Sequence, residues 1–184
     1  VEWSRELAEN VLEFLLDSHL GAEVSPDEWD IEGFRQALGR QFGLDSASLA
    51  GIDWAGISRE EIRKALSSRI LEKYQKKEAI IGPDLMRTHE KIIMLQVVDT
   101  QWKDHLYAMD HLKEGIGLRG YGQRDPLIEY KKESFDMFEA MWDRIEEEIV
   151  RVLFLLQPVR EPSMMEMRPA ARPLRLGFND PAAG

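Results

Sequence analysis

Two long segments without internal helix breakers dominate the C-terminal half of the sequence. The first runs 32 residues from Pro83 to Glu114, after a break at Gly82, and would extend about 48 Å as one helix. The second runs from Pro126 to Gln157, with Asp125 suited to cap its start and Pro158 suited to end it. Two such segments in succession predict a long antiparallel helical hairpin.

The second segment carries a regular apolar stripe. Large apolar residues alternate at three- and four-residue spacing, which is the pattern of a helix packed along a long partner. We expect the hairpin core to consist of Trp102, Leu106, Met109, Phe135, Phe138, Trp142, Ile145 and Ile149. An alternative stays open for Trp102 and Trp142, because exposed indoles would instead form a groove for a partner helix.

The N-terminal half shows shorter helical patterns. Glu2 to Ser18 has one broad apolar face, and Asp30 and Gly43 are placed to cap the two ends of a short helix. Ser58-Arg59-Glu60-Glu61 is a capping box, from which a helix is predicted to run from Arg59 to Lys77. No segment has convincing strand alternation, so the predicted class is all-α.

Composition excludes several kinds of protein chemistry. The chain has no cysteine, which rules out disulfides, thiolate catalysis and cysteine-based zinc sites within it. Its net charge of −10 argues against a generic nucleic-acid binder, since phosphate neutralisation needs a basic face. No P-loop motif is present, so we expect no nucleotide site and no cofactor within this chain.

The titratable residues do not form a catalytic or metal-binding pattern. His105 and His111 are six positions apart, about 240° around a helix, and cannot share a metal locally. His89 precedes Glu90, but adjacent residues on a helix point apart, and the run Glu146-Glu147-Glu148 fans around its helix as a solvated face would. We therefore expect no catalytic residue, no metal ligand and no enzymatic activity from the chain alone.

The connection between the two long segments is unusual. A helical hairpin can turn in two to five residues, whereas this one spends about eleven, from Gly115 to Asp125. It carries apolar and basic side chains that have little core nearby, namely Ile116, Leu118, Arg119, Tyr121 and Arg124. Two interpretations remain open from these residues: a turn folded back on the hairpin, or a tip that contacts another molecule.

The sequence from Met94 to Met141 closely resembles the C-terminal part of SecA, the ATP-driven motor of bacterial preprotein export. The most specific motifs are D-x-x-W-K-x-H-L at Asp99 to Leu106, Met109-Asp110, and LRGYGQRDPLIEYKKESF. WDIEGFRQALGRQFGLD, at Trp29 to Asp45, resembles the helical wing domain of that family. The resemblance covers about residues 1–158.

The resemblance implies a division of the chain into four parts. Residues 1–20 would end the long helix of the helical scaffold domain, and residues 21–76 would form the small helical wing domain. Residues 77–157 would form the scaffold hairpin, called the two-helix finger, packed on the scaffold helix. Residues 158–184, rich in proline, alanine and arginine, are predicted to be a disordered tail.

The resemblance also implies a function for the hairpin. In the family its tip reaches into the SecY channel and contacts the translocating polypeptide, and Tyr121 matches the tip tyrosine. Ile116, Leu118, Arg119 and Arg124 would surround it. The hairpin also regulates the ATPase by packing against the motor domains, which hold ATP and magnesium outside this chain.

The partners implied are the SecYEG channel, unfolded preprotein and those motor domains, with no nucleic acid. The implied location is cytoplasmic, peripheral at the inner face of the bacterial plasma membrane. Self-association is also expected to be possible, since separation from the motor domains would expose apolar surface. The alternative is a purely structural or helix-docking module that never touches substrate.

Overall fold

The computed structural model describes residues 2–54, 56–117 and 125–156. Within these ranges the chain forms α1 (Glu2–His19), α2 (Ile31–Phe42), α3 (Arg59–Ile81), α4 (Pro83–Ile116) and α5 (Pro126–Leu155). A 3-10 turn at Pro26–Glu28 lies between α1 and α2. No strand occurs among the described residues, and the predicted all-α class is confirmed.

Local end signals fix several helix boundaries where the sequence placed them. The Asp30 side chain accepts a backbone hydrogen bond at the start of α2, and Gly43 ends that helix in the left-handed conformation, with φ of 61°. Ser58 and Glu61 form the reciprocal capping box of α3. The Asp125 carboxylate caps α5.

The end of α3 differs from the prediction. The helix was expected to stop near Lys77 but continues to Ile81, across the expected boundary between wing and hairpin. The reason is that residues 78–81 contain no helix breaker, and the first one is Gly82, with φ of 91°. At the other end of the chain, the predicted tail at 158–184 lies outside the described residues.

One apolar core joins α1, α2 and α3 to the base of the hairpin. Helix α1 lies against α2, α3 and α5, while α4 and α5 run side by side as the predicted antiparallel pair. Phe42 at the end of α2 is fully buried, and its ring meets the edge of Phe154 on α5 with centroids 5.3 Å apart. Helix α2 therefore packs against the base of the hairpin as part of this shared core.

Two lysines of α3 donate hydrogen bonds to backbone carbonyl groups at the C-terminal ends of neighbouring helices. Lys73 Nζ donates to the carbonyl oxygens of Phe42 and Gly43, at 2.7 and 2.5 Å, and Lys77 Nζ donates to the carbonyl of Leu153. Cationic groups are favourable at helix C-termini. Burial, with a smaller contribution from the Lys73 charge, lowers the pKa of Lys77 to about 8.

Candidate functional site

The predicted contact tip lies almost entirely outside the described residues. Leu118, Arg119, Tyr121 and Arg124 belong to the undescribed range 118–124, and their roles stay predictions. Ile116 is the last residue of α4 and is half-buried. Because α4 ends there and α5 begins at Pro126, nine residues, 117–125, connect the two helices at the far end of the hairpin.

The predicted hairpin core is only partly a core. Ile145 and Ile149 are buried and Met109 is half-buried. The prediction is wrong for the remaining five residues, whose exposed fractions lie between 44% and 57%: Trp102, Leu106, Phe135, Phe138 and Trp142. These five residues lie on one broad apolar side of the hairpin. The two hairpin helices alone leave this side exposed to solvent.

We call this side the open face and define it by Val98, Trp102, Phe135, Phe138 and Trp142. Rings of both helices meet on it, since buried His105 lies between Trp102 and Phe138, with ring centroids 5.6 and 6.0 Å away. Leu106 lies one turn beyond Trp102 on the same side of α4. The open face is a continuous aromatic surface spanning α4 and α5.

Helix α1 packs against the edge of the open face that is nearer the hairpin base. Trp3 and Leu7 of α1 share a groove with Val98, Trp142 and Ile145. Asn10 lies further along, where its side-chain amide is 3.4 Å from Glu146 Oε2. Ser4 bonds to Glu90 near the start of α4, so the N-terminal end of α1 lies at the base of the hairpin.

The exposure of the two indoles bears on the alternative that the sequence left open. Trp102 is 46% exposed and Trp142 is 53% exposed, and the Trp142 indole N–H donates only to Glu146, one turn away on its own helix. Shielded indoles would have indicated a closed hairpin. The exposed indoles favour a groove that receives another helix.

The histidines have packing and pairing roles. His19 Nδ1 is 3.0 Å from Asp30, which joins the end of α1 to the start of α2. The backbone hydrogen bond from Gly33, with the His19 contact, lowers the pKa of the Asp30 carboxyl. Among the described residues no group of three or more histidine and carboxylate side chains could hold a metal.

Sequence reasoning missed one buried carboxylate. Glu90 is only 8% exposed although a charged residue within a helical pattern is ordinarily assigned to the solvent side. It accepts hydrogen bonds from Ser4 on α1 and Tyr74 on α3. The only signal in the sequence was its position among apolar residues of α4, which does not distinguish a buried carboxylate from an exposed one.

Within the described ranges, no helix combines the length and apolarity needed to cross a bilayer.

Comparison with known proteins identifies the family that shares this arrangement. Residues 2–157 match the family described as the SecA wing and scaffold domain. The chain is 51% identical over 150 residues to the protein translocase subunit SecA of Acidobacterium capsulatum, covering 82% of this chain. It is 43% identical over 183 residues to protein translocase subunit SecA 1 of Magnetococcus marinus, covering 97% of this chain.

These relatives are much longer than the matched region. The aligned part makes up 15% of the Acidobacterium protein and 20% of the Magnetococcus protein. The chain thus corresponds to a minor part of each translocase subunit.

Proposed function

Since the chain belongs to the SecA wing and scaffold family, we propose that it forms the wing and two-helix finger of an ATP-driven preprotein translocase. In this role it does no chemistry of its own. ATP and magnesium act on the motor domains of the whole protein, and the chain passes motion between those domains and the polypeptide. The single observation that carries the proposal is the long hairpin held at its base by the wing core.

The tip of the hairpin is the element that contacts the translocating polypeptide. Helix α4 has 34 residues and extends roughly 51 Å, so movement at the base is delivered to a distant loop. Tyr121 would contact apolar side chains with its ring and the polypeptide backbone with its hydroxyl. The glycines around it let the loop adapt to many sequences. This function would keep the chain at the cytoplasmic side of the plasma membrane, against the SecYEG channel.

The open face has a separate role inside the translocase. We assign it to a further helix of the whole protein that packs along the hairpin. The exposed aromatic rings of both helices support this assignment. The groove favoured by Trp102 and Trp142 then serves a helix of the same protein, which stiffens the hairpin and connects it to the motor domains.

The tip role makes a direct kinetic prediction. In the full-length translocase that carries this chain, Tyr121→Ala is expected to slow preprotein translocation far more than it lowers basal ATP hydrolysis, because the motor domains are unchanged. Tyr107→Ala is the matched control, since Tyr107 is an exposed tyrosine partway along α4. The two rates are measured with the same membrane vesicles and the same preprotein.

A helix-docking module without substrate contact is the second candidate function. The exposed indoles favour it, because they provide a docking groove whatever the tip does. Under this alternative, Tyr121→Ala and Tyr107→Ala would have equal and small effects on translocation. A parallel loss of translocation and ATP hydrolysis in Tyr121→Ala would instead show that the loop is structural.

A further inference from the structure

The junction between α3 and α4 is a bend at a single residue. Gly82 separates the two helices, with φ of 91° and ψ of 144°. A Cβ atom added at Gly82 would meet no neighbouring atom within 4 Å, so no side-chain packing surrounds the bend point itself. Glycine tolerates many backbone conformations, and this residue alone does not determine the angle between the helices.

A buried hydrogen bond crosses this bend. Tyr74 and Glu90 are sixteen residues apart, with Gly82 midway between them, and the Tyr74 hydroxyl donates to Glu90 Oε1 at 2.5 Å. Both side chains are buried. Tyr74 lies on α3 and Glu90 lies on α4, each eight residues from the bend. A hydrogen bond between them therefore restrains the angle between the two helices.

The same carboxylate is held by two further elements. Ser4 Oγ of α1 donates to Glu90 Oε1 at 2.6 Å, and Arg87 Nη1 lies 2.8 Å from Glu90 Oε2. Arg87 Nη2 also donates to the Tyr74 hydroxyl at 2.7 Å and pairs with Glu78 on α3. Glu90 is therefore bonded to α1, α3 and its own helix, and its buried charge is compensated.

We propose that this network of Ser4, Tyr74, Arg87 and Glu90 is a conformational latch that sets the angle between α3 and α4 about the Gly82 hinge. A buried ion pair is weak evidence for added stability, and in some proteins buried polar groups instead specify one geometry. Burial, together with the bond to Glu90 and its charge, raises the pKa of Tyr74 to about 12. A tyrosine hydroxyl is protonated at neutral pH in any case, so Tyr74 remains a donor there.

The length of α4 turns a small change of angle into a large displacement. At 1.5 Å per residue α4 is a lever of roughly 51 Å, and a swing of about 10° moves its far end by about 9 Å. Breaking the hydrogen bonds of the latch would therefore displace the far end of α4, while α3 and α4 themselves stay intact. The latch is a property of this chain and does not depend on the function proposed for the tip.

The absence of cysteines makes the angle measurable in the complete 184-residue chain. Lys64→Cys on α3 and Lys103→Cys on α4 are highly exposed positions for nitroxide labels, on opposite sides of the hinge. Pulsed electron–electron resonance then gives the distance distribution between them. A swing of about 10° displaces Lys103, roughly 31 Å from the hinge, by about 5 Å.

Two variants open the latch with little change in volume. Tyr74→Phe removes only the hydroxyl and keeps the ring beside Phe154, and Glu90→Gln removes the charge. Each is expected to broaden the distribution or add a second population displaced by several ångströms. Thr88→Val is the matched control, since it removes an exposed hydroxyl near the hinge that bonds only to its own helix.

The latch is contradicted if Tyr74→Phe and Glu90→Gln both retain the parent distance distribution while circular dichroism shows them folded. That result would assign the angle to the apolar core at the hairpin base. If Glu90→Gln does not fold, the distance distribution of Tyr74→Phe alone tests the latch. The measurement uses neither channel nor nucleotide, so its failure would leave the proposed translocase function unaffected.

Discussion

Replacing Phe42 with alanine is expected to lower the free energy of unfolding by about 3–5 kcal/mol, as for other large core aromatics. Phe42 has no exposed surface, and its ring packs edge-on against Phe154 of α5. The substitution leaves a cavity at the point where the wing meets the hairpin. Urea unfolding of the 184-residue chain, followed by circular dichroism, measures the loss.

Phe14→Ala provides the control for this loss. Phe14 lies on α1 and is 52% exposed, so its removal is expected to cost about 1 kcal/mol or less. Because wing and hairpin share one core, Phe42→Ala should keep a single unfolding transition at lower urea. Equal losses in the two variants, or separate transitions for wing and hairpin, would contradict the shared core.

Trp142→Ala is expected to have different effects in two contexts. In the 184-residue chain Trp142 is 53% exposed, and its removal should cost about 1 kcal/mol. In the full-length translocase the proposed partner helix would cover the indole, and the loss should approach the roughly 3–5 kcal/mol of a buried tryptophan. Thermal unfolding of both proteins, with and without the substitution, measures the two losses.

Ile145→Ala is the matched control for the open face. Ile145 is one turn from Trp142 on α5 but is already buried in the chain itself. Its replacement should therefore lower the stability of the hairpin similarly in both proteins, by about 2–5 kcal/mol. If Trp142→Ala behaves like Ile145→Ala, with equal effects in both contexts, no helix covers the open face.

Features that depend on neighbouring residues could be predicted from the sequence. The caps at Asp30, Ser58 and Asp125 form hydrogen bonds to backbone groups within the next three residues, so a few letters determine them. The same holds for the end of α2 at Gly43, where a left-handed residue closes the helix. The number of helices and the all-α fold class could be predicted from these signals and from the spacing of the apolar residues.

Contacts between helices, which bring together residues remote in sequence, could not be predicted in the same way. The three- and four-residue spacing shows that Phe138, Trp142 and Ile145 share one side of α5 but does not identify what covers that side. Only the position of α1 separates buried Ile145 from exposed Phe138. The burial of Glu90 likewise depends on Ser4 and Tyr74, which are remote in sequence.

The most direct test of the central claim places a cysteine at the hairpin tip. Tyr121→Cys is introduced into the full-length translocase, with any other cysteines replaced, and a preprotein carrying one cysteine is stalled in the SecY channel. Disulfide cross-linking is then compared with that of Tyr107→Cys, an exposed position partway along α4. A tip that contacts the polypeptide predicts a cross-link at Tyr121→Cys and none at Tyr107→Cys. Equal cross-linking at both positions, or none at the tip, would contradict the claim.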